Sequence, residues 1–193
     1  MEASNYMPST IKQLEYYRQL GEKAMQQLPE EQLLYTPDAL NNSIATIVKH
    51  LWGNMLSRWT DFRHSDGEKT WRNRDAEFEN DIATAEELWQ KWNEGWELLL
   101  ETLRAVPDTD LAELVYIRNQ GHTIVEAVNR QLAHYAYHVG QIVLLAKLHL
   151  GTDFQTLSIA KGQSKAFNAK KFAQEQQRGH FTDDFLEKNR LLL

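Results

Sequence analysis

The stretch from Thr123 to Gly151 constrains this chain more than any other. Thr123 followed by Glu126 is the pattern of a capping box, in which a hydroxyl and a carboxylate satisfy backbone N–H groups at a helix start. Gly151 is the kind of residue that closes a helix, because it enters the left-handed region at little cost. Between them no proline intervenes, and Leu132, Ala133, Ala136, Val139, Ile142 and Val143 give the segment an apolar side. One long helix is expected here, and an apolar stripe of that extent needs other helices to cover it.

Three further segments supply them. From about Ser9 to Gln27, residues Ile11, Leu14, Tyr17 and Leu20 recur at helical spacing, with Tyr16 and Ala24 beside them, until Pro29 stops the pattern. After a loop through Thr36-Pro37-Asp38, Asn42 or Ser43 can cap a second helix carrying Ile44, Ile47, Val48, Leu51, Met55 and Trp59 to about Phe62. Thr84 with Glu87 is another capping box, opening a helix with Leu88, Trp92, Leu99 and Leu103 that ends before Pro107. The polar stretch His64–Asp75 reads as a long ordered loop. Leu114–Ile117 is strand-like and can pair with His122-Thr-Ile across a turn at Asn119-Gln-Gly121. A last amphipathic segment, about Ser164 to Gln177, is expected to be helical. The fold class is therefore all-α, a four-helix bundle with a short extra hairpin and a C-terminal helix. A single domain spans 1–193, with its core at about 9–151 and the segment 152–193 packed on it or partly mobile.

Charge and composition exclude several roles. The formal charge of −6 argues against a nucleic-acid surface, which needs a basic stripe to neutralise phosphates. Lys161, Lys165, Lys170 and Lys171 lie in the polar C-terminal segment and read as the solvated side of a tail helix. No run approaches the roughly 20 apolar residues that cross a bilayer. The first residues have neither the basic nor the apolar region of a signal peptide, so a cytoplasmic location without a membrane partner is expected. The absence of cysteine removes disulfides, thiolate ligands and a cysteine nucleophile together.

Chemistry enters with His134 and His138, four residues apart on the long helix. That spacing is about one helical turn, so both imidazoles leave the same side. Two unpaired imidazoles among apolar neighbours cost free energy, and a metal ion satisfies both. His50, among Ile47, Val48 and Leu51, offers a third nitrogen from a second core-facing helix. Three neutral imidazoles leave part of a coordination sphere open, as catalytic rather than structural sites do. The position after His134 is Tyr135, so the glutamate of the His-Glu-x-x-His signature is missing and any general base lies elsewhere. His149 is too far along the helix to share an ion; it, His64, His122 and His180 take surface or capping roles. Asn54, Arg58 and Asp61 share the side of His50, while Arg130, Gln131 and Gln141 lie near the ligand side of the long helix. Such residues can orient a ligating ring or bind substrate. Trp89, Trp92 and Trp96, like Trp52 and Trp59, are spaced as core residues, whereas Trp71, beside Arg72, Arg74 and Asp75, stands in the polar loop where it can cap a pocket.

Together these residues resemble the DinB superfamily, the DinB/YfiT-like metalloenzymes. The resemblance rests on Val48-Lys-His50-Leu51, Trp71-Arg-Asn-Arg-Asp75, His134-Tyr-Ala-Tyr-His138-Val-Gly-Gln141 and Gly162-Gln-Ser164, and covers about residues 10 to 170, with a bacterial subfamily most similar. It implies an up-down-down-up four-helix bundle, commonly a homodimer. It also implies a divalent ion, zinc or nickel, held at His50, His134 and His138. Better-understood relatives are similar to S-transferases and isomerases that use low-molecular-weight thiols such as bacillithiol or mycothiol; others are presumed hydrolases.

Two functions follow. In the first, the chain is a metal-dependent thiol S-transferase or hydrolase that activates a thiol or water against a small electrophile. Arg58, Arg72 or Arg74 would bind an anionic part of that substrate, and Asp61 and Asp75 are the first candidates for a catalytic base. In the second, it is a non-catalytic stress-related or interaction protein whose histidine site is structural. Fold alone does not choose between them.

Overall fold

The computed structural model describes residues 5–36, 38 and 40–190. Helix α1 spans Tyr6–Met25, beginning earlier than its apolar spacing suggests. Pro8 falls in the first turn, where a missing N–H breaks no intrahelical bond, so it does not delay the start. Pro29 then precedes a short helix, α2 (Glu30–Leu34), in a stretch that sequence patterning leaves as a connection. Its Glu30 accepts the Ala85 N–H at 2.7 Å, tying α2 to the start of a later helix. In the expected loop Thr36-Pro37-Asp38, Pro37 lies outside the described residues.

Helix α3 (Ile44–Trp59) is capped by Ser43, whose hydroxyl accepts the Thr46 N–H at 2.9 Å. Nearly all of α3 is buried, the polar His50, Asn54, Ser57 and Arg58 included, which marks it as an interior helix. It stops short of Phe62 because Asp61 turns the chain with φ +45°. A long connection follows, broken only by a 3₁₀ turn at Asp75–Phe78.

Helix α4 (Ala85–Arg104) buries Leu88, Trp92, Trp96, Leu99 and Leu103 along one stripe, so these tryptophans are core. Its capping box forms by half. Thr84 accepts the Glu87 N–H at 3.2 Å, but the Glu87 carboxylate takes the N–H of Ala83 instead of that of Thr84.

Strands β1 (Leu114–Ile117) and β2 (Gln120–Thr123) pair antiparallel with Ile117 opposite Gln120. The turn is Arg118–Asn119, both at positive φ, one residue earlier than patterning places it. Asp66 accounts for this shift: its carboxylate accepts both turn N–H groups at 2.8 Å, offsetting the strain of a left-handed arginine.

Helix α5 (Ile124–Leu150) carries the full capping box at Thr123 and Glu126 and ends at Gly151, φ +56°, as its sequence requires. α1 packs on α4 and α5, and α3 packs on the same two helices. The core of Leu14, Met25, Leu51, Met55, Trp92, Trp96 and Tyr135 fills the space they enclose.

Toward the C-terminus, α6 (Ser164–Phe172) is shorter than expected and buries nothing, so it is not the amphipathic helix its sequence suggests. A further helix, α7 (Asp183–Arg190), returns to α1 through a Lys12–Asp183 ion pair of 2.6 Å and an edge contact of Phe185 on Tyr16. Among the described residues no helix is long and apolar enough to cross a membrane.

Candidate metal centre

His50 reaches the contact of α3 with α5, where His134 and His138 stand one turn apart. Their Nε2 atoms converge: His50 to His134 is 3.2 Å and His138 to His134 is 3.1 Å. One nitrogen from each ring lies within 4.8 Å of the others.

Partners on the far side of two rings decide which nitrogen offers a lone pair. His50 Nδ1 is 2.9 Å from Oε2 of Glu77; a carboxylate only accepts, so Nδ1 carries a proton, and in the neutral ring Nε2 is the nitrogen free to bind a metal. His138 Nδ1 is 2.7 Å from the amide oxygen of Gln141, with the same consequence. His134 Nδ1 is buried and has no partner among the described residues.

Burial lowers the pKa of His134 to about 3, helped by the charge of the neighbouring histidines, Arg58 and Arg72. Burial likewise takes His138 to about 4, against the opposing pull of its Gln141 hydrogen bond. These two imidazoles are neutral at neutral pH. Without a metal the His134 Nε2–H can donate to one of the two facing nitrogens, whereas a cation placed between the rings satisfies all three.

The donor set fits such a cation. Two nitrogens bound at about 2.05 Å in tetrahedral geometry lie roughly 3.3 Å apart, and in octahedral geometry roughly 2.9 Å apart. The two closest separations here, 3.1 and 3.2 Å, fall inside that range. Three imidazoles without a thiolate suit zinc, nickel, copper or iron better than magnesium or calcium.

Glu77 is the residue that sequence reasoning missed. It is buried in the 3₁₀ turn, and Arg72 holds it in a two-point pairing, Nε to Oε1 at 2.7 Å and Nη2 to Oε2 at 2.9 Å. Burial opposes its ionisation, but the hydrogen bond to His50 and the Arg72 charge prevail and hold its carboxyl below the usual range. Gly53 makes room for it, since a Cβ there would lie 2.4 Å from Oε1. Phe78 stacks on the His50 ring at 4.8 Å. Nothing in the spacing of this loop announces a buried glutamate, because its role depends on a contact with α3.

Beside the histidines lies a cleft of about 300 Å³ whose wall includes Asn54, Arg58, Arg72, Arg74, Arg130 and Gln131, six residues singled out from sequence. Arg118 completes its cationic side. Behind it, the buried Tyr135 hydroxyl accepts from Trp59 Nε1 at 2.9 Å and donates to Asn54 Oδ1 at 3.2 Å, which fixes Asn54 at the wall. Gln141 serves His138 from outside the cleft.

Three candidates are placed elsewhere. Trp71 is exposed and does not line the cleft. Asp61 occupies the exposed turn after α3, 2.9 Å from His64, and Asp75 is exposed at the start of the 3₁₀ turn; neither lines the cleft. Asp61, which helix geometry grouped with His50, leaves that side because α3 ends at Trp59. The remaining histidines also stay apart: His122 lies near Arg130, His149 against Tyr35, and His180 beside Ser9.

Fold and site together define a helical protein in which two helices bring three histidines, two buried and one half-buried, within reach of one metal ion. A family model described as "Protein of unknown function (DUF1572)" matches residues 1–163, a span that includes all three histidines and Glu77, and the chain belongs to this DinB-like family. No curated protein and no solved structure matches the chain.

Proposed function

We propose that this chain is a metal-dependent enzyme of the DinB type, which holds zinc or nickel at His50, His134 and His138 inside an up-down-down-up four-helix bundle. The convergence of three Nε2 atoms carries this reading. A divalent ion on these nitrogens supplies Lewis acidity, enough to make a thiol a thiolate near neutral pH. The chain's own part is to present bare nitrogens, with Glu77 and Gln141 keeping protons on the outward Nδ1 atoms. The cleft admits a small electrophile, and Asn54 and the arginines orient it.

A low-molecular-weight thiol is favoured over water as nucleophile. Hydrolysis calls for a base in reach of the attacking water, and among the described residues no aspartate or glutamate lines the cleft. A thiolate, once formed, needs no such base. The class of reaction proposed is therefore S-transfer. The proposed assembly is a homodimer, in which Tyr137, Leu144 and Leu148, exposed along α5, meet a second copy. The proposed setting is the cytoplasm, where such thiols are kept reduced.

The test is elemental analysis of protein purified without a metal-affinity tag, followed by assay of electrophile consumption with and without added thiol. About one divalent ion per chain is expected, lost in His134→Ala, with turnover that needs both ion and thiol. Full metal content in His134→Ala, or turnover indifferent to chelation, would overturn the proposal.

A further inference from the structure

Five guanidinium groups line the cleft: Arg58, Arg72, Arg74, Arg118 and Arg130. Two carboxylates answer them. Glu68 lies 3.0 Å from Arg58 and 3.2 Å from both Arg72 and Arg118, while Glu77 pairs with Arg72. Three positive charges are left over, in a chain whose formal charge is −6. The excess is thus local, and a concave cleft lined by one sign of charge focuses its field.

The arginines divide by environment. Arg58 and Arg72 have nearly buried side chains spent on Glu68 and Glu77, so they belong to the wall. Arg74 and Arg130 are exposed and have no carboxylate within 4 Å among the described residues. Arg74 instead lies over the Phe78 ring at 5.2 Å, and that ring stacks on His50. Arg130 stands one turn before His134 on α5, about 6 Å along the axis. Its contact is Nε2 of His122 at 3.3 Å. Arg118 enters from the hairpin turn that Asp66 fastens, and shares Glu68 with two other arginines. Two buried polar atoms of the same wall, Gln131 Oε1 and Arg58 Nε, have no partner among the described residues.

We infer that the small molecule bound in this cleft carries an oxyanion, a carboxylate or a phosphate, gripped by Arg74, Arg118 and Arg130 beside the histidines. The inference rests on the metal-dependent reading for what the molecule does, but not for its charge. Guanidinium groups match the paired oxygens of such anions, and three of them on separate elements can surround one. A volume of about 300 Å³ sits at the small end of small-molecule sites, which suits a small anion.

Two measurements test this separately from the metal. First, chelator-treated protein is melted at fixed ionic strength with chloride or with inorganic phosphate. For a Kd of about 1 mM, phosphate at about 50 mM raises the melting temperature by about 5 °C. Arg74→Ala/Arg130→Ala, altered only at exposed positions, loses that shift. Second, cobalt-loaded protein is titrated with 3-mercaptopropionate, 2-mercaptoethyl phosphate and 2-mercaptoethanol, following the sulfur-to-metal charge-transfer band. At least one anionic thiol binds tenfold or more tightly than the neutral one, and the better of the two identifies the oxyanion. The double variant removes the difference while its affinity for 2-mercaptoethanol is retained. No phosphate effect on wild type, or equal affinity for all three thiols, overturns the anion site while the metal reading stands. A phosphate effect in protein that takes up no metal has the opposite meaning.

Discussion

Glu77→Gln changes no volume and removes one charge, so it isolates what the buried carboxylate does. Glu77 and Arg72 have side chains only 6% and 2% exposed, and breaking a buried ion pair from one side costs about 3–5 kcal/mol. Arg72 keeps Glu68 at 3.2 Å, and the amide retains one acceptor oxygen, which reduces the loss to about 2–3 kcal/mol. For a chain of this size each kcal/mol moves the melting temperature by about 2–4 °C, so a fall of about 5–10 °C is expected. The amide nitrogen has two possible places. Where Oε1 stood, it meets the Arg72 Nε–H donor; where Oε2 stood, it meets Arg72 Nη2 and His50 Nδ1. In the second arrangement His50 relieves the clash by moving its proton to Nε2, the nitrogen aimed at His134. Metal affinity then falls by about 10–100-fold, the usual effect of losing such a partner. Calorimetry on metal-free protein reads the first quantity, and competition against a zinc-binding dye reads the second. A variant that melts within about 1 °C of wild type and binds zinc equally well would refute the assignment of Glu77 as the group that orients His50.

Two further outcomes are expected. Gly53→Ala forces a Cβ to 2.4 Å from Glu77 Oε1, and because Arg72 and His50 pin that carboxylate, stability drops by about 1–3 kcal/mol in urea unfolding; an unchanged midpoint would mean Glu77 is free to move. Metal-free protein loses stability as pH falls from 6.5 towards 4: His134 and His138 have folded pKa values of about 3 and about 4, so the unfolded chain binds more protons in that window. Their contribution is whole above 6.5 and gone below the folded values; His138→Asn, which can keep the Gln141 bond, flattens the slope between pH 6.5 and 5 if the reasoning is right.

The elements most legible in sequence are those whose signals are local. The capping box at Thr123 and Glu126 and the closing Gly151 act within one turn of chain, and α5 appears between them as read. The same holds for the i,i+4 spacing of His134 and His138, which any helix converts into a shared side. Where two local signals competed, packing chose. The turn falls at Arg118 and Asn119 because Asp66, from a distant loop, binds both N–H groups. α2 and α7 are too short to show periodicity, and what holds them are the Glu30 contact to Ala85 and the Lys12–Asp183 pair.

Taken alone, then, the order of residues determined that this chain would be helical, and that His50, His134 and His138 would be the nitrogens to watch. Backbone hydrogen bonding and helical repeat act over a few residues, so their outcome is written in a few residues. Only the tertiary structure decided that Glu77 would stand behind His50, that Asp61 and Asp75 would stay away from the cleft, and that five arginines from α3, the loop, the hairpin and α5 would share one wall. Those decisions rest on charges meeting across long separations in sequence, where electrostatic and packing energies depend on distance in space and leave no period to read.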